Sequence, residues 1–303
     1  MPTTESPFRY PGGKTQLYDF VSNLIQLNQP VQTYIEPFAG GAGIPLKLIK
    51  NNVVDNIWIN DFDPSIYSVW YHILNSPNQL ISKLNELPFS YKNRIKDIDL
   101  LMNFWKKQKD IYLHEKDNPT SFNGAFATLF LNRTNRSGII NGGPIGGYHQ
   151  TSNTKLYDRL NTDTLIKKIK FISLNKDRIR LTNLDAIDLI KEIGRSTDKD
   201  NSFTFFDPPY YRQGKNLYFS SLDNYGHEKL AKSIIELSDY KWILTYDNAE
   251  PILDFYDSIQ QKYSYSLNYT ANNKNRGKKR ELFFSSPKIK LEFSENKYNF
   301  IKI

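Results

Sequence analysis

The stretch FTFFDPPYY, residues 203–211, decides how the central sheet is predicted to end. Its first four residues form an apolar run rich in aromatic and β-branched side chains, which is typical of a buried strand. An acid and two prolines follow, and a proline cannot donate a backbone hydrogen bond to a neighbouring strand. The sequence therefore predicts a buried strand that ends in a rigid corner. That corner consists of Asp207, Pro208, Pro209 and Tyr210.

The corner carries groups that could hold the exocyclic amine of a nucleobase. Such an amine is a poor nucleophile because its lone pair is delocalised into the ring, so its methylation needs acceptors for both amine hydrogens. Asp207 offers a carboxylate, Pro208 offers a backbone carbonyl, and Tyr210 offers a flat face on which the base can stack. The alternative is an ordinary strand-to-loop corner whose aromatic side chains pack into the core.

A glycine-rich turn upstream indicates a nucleoside cofactor. Residues 34–50 predict a strand, a turn with Gly40, Gly41 and Gly43, and a helix. Glycines at such a place let backbone N–H groups approach a ligand at the helix N-terminus. Asp61 ends the next predicted strand, about 20 residues further on, where an acid binds ribose hydroxyls in nucleoside-binding sheets. These features leave both NAD and S-adenosylmethionine open, and an ordinary capping role remains the alternative for Asp61.

The remaining pattern predicts an α/β sheet that is divided by an insertion. Strands and helices are expected at 56–61, 64–75, 178–185, 186–193, 203–206, 226–237, 241–247, 263–269 and 281–285. Residues 77–165 are richly charged and mostly helical, and they lose the strand–helix alternation. We therefore predict a catalytic domain in two parts, 1–76 and 166–303, around an inserted domain at 77–165.

Composition limits the class of protein further. The 303 residues contain no cysteine, which excludes disulfides and thiol catalysis, and the four histidines show no metal-ligand spacing. A net charge of +8 with 20 tyrosines and 19 phenylalanines suits a nucleic-acid partner, although an AT-rich genome would produce the same bias. No signal peptide or membrane-spanning run is predicted. We expect a soluble, cytoplasmic protein of a bacterial, archaeal or phage-infected cell that binds no metal.

These motifs together resemble the Dam-type DNA adenine N6-methyltransferases of the alpha group. The resemblance rests on FRYPGGKTQL (8–17), YIEPFAGGAG (34–43), INDFDP (59–64), FFDPPYY (205–211), LYFSSLDNYGHEKLA (217–231) and NNKNRGKKRELFFS (272–285). It covers nearly the whole chain and is weakest inside the insertion. It implies a Rossmann-like, S-adenosylmethionine-dependent methyltransferase sheet with an inserted, mostly helical target-recognition domain. It also implies methyl transfer to an adenine that is flipped out of double-stranded DNA.

The resemblance implies a role for each matching residue. The implied cofactor-binding residues are Tyr10, Lys14, Glu36, Phe38, Gly40, Gly41, Gly43, Asp61, Asp185 and Asp207, and the implied catalytic residues are Asp207, Pro208, Pro209 and Tyr210. Asp61 would bind the ribose and Asp185 would lie beside the adenine of the cofactor. From the residues alone, Lys14 is a solvated lysine after a Pro-Gly-Gly turn, and Asp185 is the N-cap of the helix that follows it.

Two basic stretches are predicted to contact DNA. Extrusion of a base costs on the order of a few kcal/mol, which contacts to phosphates can offset. The predicted DNA-binding residues are Arg133, Asn135, Arg136 and Ser137 in NRTNRSGIINGGPIGG (132–147), and Lys274, Arg276, Lys278, Lys279 and Arg280 in NKNRGKKR (273–280). Arginine can read guanine and asparagine can read adenine in the major groove. The alternatives are a structural glycine-rich loop and a charged surface turn, and the recognised DNA sequence is left open.

Other functions fit part of the pattern. Cytosine N4-methylation poses the same chemical problem, but the leading Asp207 rather than a serine argues against it. Methylation of RNA or of a protein amide, an inactive methyltransferase fold that only binds DNA, and a nicotinamide oxidoreductase fit less well. We therefore predict a site-specific DNA adenine N6-methyltransferase of a restriction-modification, orphan or phage system, with a separate cognate restriction endonuclease as a candidate partner. His227 is predicted to be structural, because this chemistry needs no histidine.

Overall fold

The chain forms two compact units. Unit 1 comprises Met1–Gly13 and Asp63–Asp177, and unit 2 comprises Lys14–Phe62 and Arg178–Ile303. The computed structural model describes residues 4–9, 14–212, 222–268, 278–293 and 298–303, with the backbone alone for 267–268 and 278–279. Along these ranges, no helix combines the length and the apolar character that crossing a bilayer requires.

Unit 2 is organised around a sheet that has eight strands among the described residues. The strands, numbered along the chain, are β1 (Thr33–Glu36), β2 (Asn56–Asn60), β3 (Ile179–Thr182), β4 (Ser202–Phe206), β5 (Lys241–Asp247), β6 (Gln261–Asn268), β7 (Lys278–Ser285) and β8 (Ile301–Lys302). Their order across the sheet is β3-β2-β1-β4-β5-β7-β6-β8. Strands β1 to β5 run parallel, and the pairs β5–β7, β7–β6 and β6–β8 are antiparallel.

The strand order identifies the edge of the sheet at which a ligand would bind. In open α/β sheets, ligands bind outside the carboxyl ends of the strands, at the point where the strand order reverses. Here that point lies between β1 and β4, which are paired in parallel with Thr33 opposite Ser202. The glycine-rich turn follows β1 and the predicted corner follows β4, so both segments leave the sheet at this edge.

The helices, numbered along the chain, are α1 (Tyr18–Leu27), α2 (Gly43–Lys50), α3 (Pro64–Asn75), α4 (Pro77–Asn85), α5 (Ile98–Glu115), α6 (Phe122–Thr134), α7 (Thr162–Leu174), α8 (Ala186–Ser196), α9 (Asn224–Glu236) and α10 (Glu250–Phe255). Local sequence explains where α3 begins. Pro64 suits the first helical turn, and the Asp63 carboxylate caps the helix by accepting the N–H of Ser65. Helix α3 therefore spans the predicted residues.

Unit 2 buries both faces of its central strands. Every residue of β4 and of β5 is buried, which is why β4 reads as a nearly continuous apolar run rather than an alternating one. Helices α8 and α9 contribute Ile193 and Ile234 to a core cluster that includes Phe206 and Trp242. With its faces covered in this way, β4 can meet a ligand only at its carboxyl end.

Unit 1 is built from helices α3 to α7. Helix α6 packs against α5 and α3, and α7 packs against α3 and α4. The rings of Phe89, Phe104 and Phe130 contact one another, with centroids 5.2 to 6.2 Å apart. The predicted insertion at 77–165 lies within this unit, which extends beyond it to include α3 and α7. The bounds of a target-recognition domain stay a prediction about function.

Candidate active site

The Asp207 carboxylate lies at the carboxyl end of β4 and is held from two sides. The Thr245 hydroxyl donates a 2.8 Å hydrogen bond to its Oδ1 from β5. The Lys14 ammonium lies 3.1 Å from the same oxygen. Burial raises the pKa of Asp207, the Lys14 charge and the Thr245 hydrogen bond oppose that rise, and the Glu281 charge adds to it. The side chain is still 25% exposed, so a ligand can reach it.

Lys14 is the centre of a buried polar cluster behind this corner. Its ammonium donates a hydrogen bond to the Tyr210 hydroxyl and lies 4.6 Å from the centre of the Tyr210 ring. The same nitrogen is 3.9 Å from Oε2 of Glu281. The Tyr265 hydroxyl donates a 2.6 Å hydrogen bond to that oxygen. Sequence reasoning assigned Lys14 to the cofactor pocket and did not anticipate its contact with Asp207 and Tyr210.

Asp247 fixes the chain that follows the corner. It ends β5, and its two carboxylate oxygens accept the backbone N–H groups of Tyr211 at 2.8 Å and Arg212 at 2.9 Å. The Tyr211 hydroxyl also donates a 2.8 Å hydrogen bond to Asn224 at the start of α9. Sequence reasoning missed this role of Asp247. The available signal was an acid at the carboxyl end of the strand next to β4.

The glycine-rich turn between β1 and α2 is held by the predicted ribose-binding acid. Gly40 and Ala42 both have a φ of 46°, in the left-handed region where glycine is favoured. The Gly40 N–H donates a 2.8 Å hydrogen bond to Oδ2 of Asp61. No side chain caps α2 at its N-cap residue, Ala42. The turn and Asp61, predicted separately, are therefore brought together by a direct hydrogen bond.

Asn60 connects the loops that follow β1, β2 and β3, and sequence reasoning missed it. Its buried amide donates 3.0 Å hydrogen bonds to the carbonyls of Pro37 and Leu184. Its Oδ1 accepts 2.8 Å hydrogen bonds from the Thr182 hydroxyl and the Leu184 N–H. An asparagine that ends a buried strand is the only signal the sequence offered. Its four hydrogen bonds fix the relative positions of the loops at the ligand-binding edge.

The other predicted cofactor residues occupy different environments. Glu36 ends β1 and is buried, and Tyr34 donates a 2.9 Å hydrogen bond to it. Burial raises the pKa of Glu36 well above its usual value, and the Asp207 charge raises it further.

Phe38 is half-buried against the core cluster. Asp185 is exposed and caps α8 by accepting the Ile187 N–H at 2.9 Å, as predicted from its position. Gly41 is buried and Gly43 is half-buried, whereas Tyr10 lies outside the described residues.

The geometry of the corner favours recognition of a nitrogen that carries hydrogens. Oδ1 of Asp207 and the hydroxyl of Tyr210 both contact a single nitrogen, that of Lys14. Two acceptors that converge on one nitrogen suit a donor that carries more than one hydrogen, a property that a lysine ammonium and an exocyclic amine share. Within the described parts of the chain, no cluster of three or more histidine, aspartate or glutamate side chains could hold a metal ion. The contacts of Asp207 and Tyr210 with Lys14 show that the corner presents a carboxylate and a phenol to a nitrogen that donates hydrogen bonds.

Comparison with known proteins identifies the family. The family model for D12 class N6 adenine-specific DNA methyltransferases matches residues 10–275. The chain belongs to this family. The type II methyltransferase M.MjaIII of Methanocaldococcus jannaschii is 24% identical over 227 residues, which cover 72% of this chain and 74% of that protein. The solved structure of the rRNA methyltransferase aviRa from Streptomyces viridochromogenes aligns over 92% of this chain and 87% of that chain, with 10% identity and a TM-score of 0.37.

Membership in the family confirms three predictions. The protein is an adenine-specific DNA methyltransferase, its substrate is DNA, and its sheet has the predicted Rossmann-like methyltransferase fold. The matched range includes the glycine-rich turn, Asp61 and the Asp207 corner. The roles of individual residues in this D12 class enzyme stay predictions, because the match identifies the family and not its contacts with substrate.

In the loop that follows α6, the structure corrects the prediction for Asn135. The side chain is fully buried, at 0% exposure. Its amide donates to three backbone carbonyls of its own loop, and its Oδ1 accepts a 2.8 Å hydrogen bond from the Trp105 indole N–H. All polar atoms of this side chain are therefore used inside the loop, and Asn135 does not present itself to a base edge. A glycine-rich loop needs such an amide because its carbonyls have few other donors.

Arg133 is also held within unit 1. Its guanidinium donates hydrogen bonds of 2.7 and 3.1 Å to the Arg159 carbonyl. Burial, together with the charges of Arg9 and Arg159, lowers the pKa of Arg133 to about 10. These contacts assign the guanidinium a structural role in addition to any contact with DNA. Arg136 and Ser137 are exposed, so the outward part of the predicted recognition loop begins with them.

The second basic stretch is only partly described. Lys274 and Arg276 lie outside the described residues. The backbone of Lys278 and Lys279 belongs to β7, and Arg280 is exposed on the same strand. The pairing of β6 with β7 sets Asn268 opposite Lys278. The contact of this stretch with DNA stays a prediction.

Proposed function

We propose that this D12 class enzyme transfers a methyl group from S-adenosylmethionine to N6 of an adenine that is flipped out of a specific double-stranded DNA sequence. The observation that supports the proposal best is the convergence of Asp207 and Tyr210 on one nitrogen at the carboxyl end of β4. This corner lies beside the Gly40 turn, at the reversal of strand order where ligands of open α/β sheets bind.

The residues around the glycine-rich turn fit S-adenosylmethionine. The turn places buried Gly40 and Gly41 before the N-terminus of α2, which has no side-chain cap. Backbone N–H groups at such a terminus favour the carboxylate of a methionine moiety. Oδ2 of Asp61 accepts the Gly40 N–H, which orients the carboxylate to accept ribose hydroxyls as well. When bound, S-adenosylmethionine supplies an electrophilic methyl group on a sulfonium.

The corner would activate the amine by taking its hydrogens. Asp207 accepts one N6 hydrogen and the carbonyl of Pro208 accepts the other, so the lone pair of N6 points away from both acceptors. The ring of Tyr210 stacks on the adenine, and Pro209 keeps the corner rigid. The N6 lone pair, directed by Asp207 and the Pro208 carbonyl, would then form a bond to the methyl group that S-adenosylmethionine supplies, and the electron pair of the sulfur–methyl bond would stay on sulfur. One N6 proton then leaves to water, so the carboxylate of Asp207 ends as it began.

The target adenine must replace an internal donor when it enters. Lys14 contacts Oδ1 of Asp207 and the hydroxyl of Tyr210, and Oδ1 is the acceptor that the N6 amine would use together with the Pro208 carbonyl. The exchange of one nitrogen donor for another keeps the number of donors to Oδ1 unchanged, whereas displacement of Lys14 without a replacement would leave the carboxylate with one donor fewer.

Exposed cationic and polar groups are candidates for contact with the DNA. Arg136 and Ser137 are exposed in unit 1, and Arg280 is exposed in unit 2. Contacts to phosphates by Lys274, Arg276, Lys278 and Lys279 would add to the affinity and make it dependent on salt. The type II designation of M.MjaIII supports a restriction-modification system, in which a separate endonuclease would cut the same sequence when it is unmethylated.

A single sequencing experiment tests the proposed reaction. The gene is expressed in a host without DNA methylation, and modified bases are mapped by single-molecule sequencing. The expected result is N6-methyladenine at one position of one recurring DNA sequence, with none when the Asp207→Ala variant is expressed at the same level. Modification of cytosine N4, or normal modification by the Asp207→Ala variant, would contradict the proposal.

A further inference from the structure

Glu281, on β7, lies behind the corner that holds the target amine. We infer that Glu281 is a positioning residue for methyl transfer, which acts through Lys14 to keep the carboxylate of Asp207 accessible to the target amine. The inference rests on the proposed function of the Asp207 corner. No prediction from the sequence gave Glu281 a role.

The position of Glu281 is set by the sheet. On β7 it lies opposite Asp247 of β5 and opposite Tyr265 of β6. Its side chain points into the protein and only 2% of the residue is exposed, whereas the preceding Arg280 is exposed. The Tyr265 hydroxyl donates a 2.6 Å hydrogen bond to Oε2, and the Lys14 ammonium lies 3.9 Å from the same oxygen. Tyr265 therefore orients the carboxylate toward Lys14.

A buried carboxylate at this place is poorly explained by stability alone. The desolvation of a carboxylate and an ammonium costs free energy that their attraction recovers only partly, and apolar side chains of similar volume are often as stable. Lys14 already has a partner in Asp207, at 3.1 Å. Glu281 thus adds a second negative charge to an existing ion pair, which raises the cost of folding. Such an arrangement is typical of functional sites.

The second carboxylate has a specific use when the target amine binds. With Asp207 as its only counter-ion, Lys14 would hold the oxygen that the amine needs. With Glu281 on its other side, Lys14 keeps a negative partner while the amine takes Oδ1 of Asp207. The three ionised groups carry a net charge of one negative unit, which complements a cationic methyl donor.

The charged and titratable groups around Asp207 allow a test by pH. Among the residues that the structure describes, they include Lys14, Glu281, Glu36, Tyr34, Tyr210 and Tyr246. The Glu281 charge raises the pKa of Asp207, and the Lys14 charge lowers it. Burial raises the pKa of Glu36 well above its usual value, and the Tyr34 hydrogen bond opposes that rise. Removal of the Glu281 charge should therefore move the acid limb of the rate profile to lower pH.

The first experiment uses Glu281→Gln, which keeps the shape of the side chain and removes its charge. We expect the single-turnover methylation rate to fall about tenfold at pH 8. The affinities for S-adenosylmethionine and for DNA should stay within about twofold of wild type, and the acid limb should move to lower pH. The matched control is Glu292→Gln on an exposed residue of the same chain, which should change neither the rate nor the profile.

A double-mutant cycle with Lys14→Met separates an effect through Lys14 from a direct structural effect. If Glu281 acts through Lys14, Glu281→Gln should lower the rate less than about twofold in the Lys14→Met background. An equal loss in both backgrounds would overturn the inference, as would a wild-type rate for Glu281→Gln alone. If Lys14→Met has no measurable methylation rate, the test is the pH–rate profile of Glu281→Gln. An acid limb at the same pH as in wild type would then overturn the inference.

Two further variants complete the design. If Glu281→Gln does not fold, Tyr265→Phe carries the test, because it removes the hydrogen bond that orients Glu281 without changing charge. Tyr265→Phe alone should lower the methylation rate about threefold, and it should have no effect when it is combined with Lys14→Met. A wild-type methylation rate for Tyr265→Phe would overturn the inference.

Asp207→Ala isolates the proposed function. Transfer by that variant would refute the role of the corner, whereas an inactive Asp207→Ala beside a fully active Glu281→Gln would refute only the role of Glu281.

Discussion

The Thr245 hydroxyl donates a 2.8 Å hydrogen bond to Oδ1 of Asp207 across two neighbouring parallel strands. The strand register explains the contact, because Phe206 of β4 lies opposite Leu244 of β5. Asp207 directly follows Phe206 and Thr245 directly follows Leu244, so the two polar residues are also neighbours across the strands. Thr245 is fully buried. The orientation of the Asp207 carboxylate is therefore set by the pairing of β4 with β5 and does not depend on a mobile loop.

This contact predicts how methylation depends on pH. Burial raises the pKa of Asp207, and the Thr245 hydrogen bond lowers it by favouring the charged form. Thr245→Val keeps the shape of the side chain and removes the hydrogen bond, so the pKa of Asp207 should rise further. Because the carboxylate accepts an amine hydrogen only when it is ionised, the acid limb of the rate profile should move to higher pH.

The measurement is the single-turnover methylation rate between pH 5 and 9 with saturating DNA. The rate of Thr245→Val should approach that of wild type at high pH and fall below it as the pH decreases. Thr204→Val makes the same change at a buried threonine of β4, and its profile should match that of wild type. An unmoved acid limb in Thr245→Val would show that this hydrogen bond does not tune Asp207.

The sequence predicted the sheet well where local signals coincide with burial. Helix α3 and strand β5 occupy the predicted residues, since proline, capping residues and turn residues mark their ends. The strand predicted over 178–185 is shorter, because it ends at Thr182 and the Asn183 amide donates to the carbonyls of Asp61 and Phe62. Strand propensity does not reveal such a contact with a distant segment.

The site was predictable in its motifs but not in its long-range contacts. The Asp207 corner, the glycine-rich turn and Asp61 each carry a local pattern. Asn60 and Asp247 lack such a pattern, because their partners come from other strands and from loops that only the fold brings close. Sequence alone also does not tell whether an asparagine of a glycine-rich loop faces inward, which is why the prediction for Asn135 was wrong.

Asn135 should matter for stability rather than for recognition. Asn135→Ala removes three donated hydrogen bonds and leaves the buried Trp105 indole N–H without its acceptor. We expect the free energy of unfolding to fall by about 2–4 kcal/mol. Urea denaturation followed by tryptophan fluorescence measures this loss. A variant as stable as wild type would contradict the role assigned to the Asn135 amide.

Arg136 should show the opposite behaviour. It is exposed and close in sequence to Asn135, so Arg136→Ala should leave the free energy of unfolding within about 0.5 kcal/mol of wild type. If Arg136 contacts a phosphate, DNA affinity should fall for all sequences, and the slope of log affinity against log salt should decrease by about one unit. If it reads a base, the loss should be confined to the recognised sequence. Fluorescence anisotropy with cognate and scrambled duplexes at several salt concentrations distinguishes these results.

Asp61 should control cofactor binding through the glycine-rich turn. Asp61→Ala removes the acceptor of the Gly40 N–H and the proposed partner of the ribose. The affinity for S-adenosylmethionine should fall by about 10- to 100-fold, which corresponds to one or two lost hydrogen bonds to a charged group. Isothermal titration calorimetry measures it. The control is Asp55→Ala, which changes an exposed residue just before β2. This variant should bind S-adenosylmethionine with the wild-type affinity. Equal affinities for Asp61→Ala and Asp55→Ala would exclude this role for Asp61.

His227 should make the stability of unit 2 depend on pH. It is 2% exposed, and its Nδ1 forms a 2.7 Å hydrogen bond with the Tyr246 hydroxyl. Burial lowers the pKa of His227, against the charges of Asp247 and Asp223. The unfolded chain, with a histidine pKa of about 6.5, therefore binds more protons than the folded protein just below that pH. Stability should decrease as the pH falls from about 6.5 toward the lower folded pKa.

Thermal denaturation at pH 5.5 and 7.5 tests this dependence. The melting temperature of wild type should be lower at pH 5.5, and His227→Gln, which removes the titrating group, should lose less on acidification. His114→Gln changes an exposed histidine and should keep the wild-type difference between the two pH values. The same difference in all three proteins would mean that His227 keeps its ordinary pKa in the folded state. A smaller difference in His227→Gln together with normal methylation at pH 8 would support a structural role for this residue.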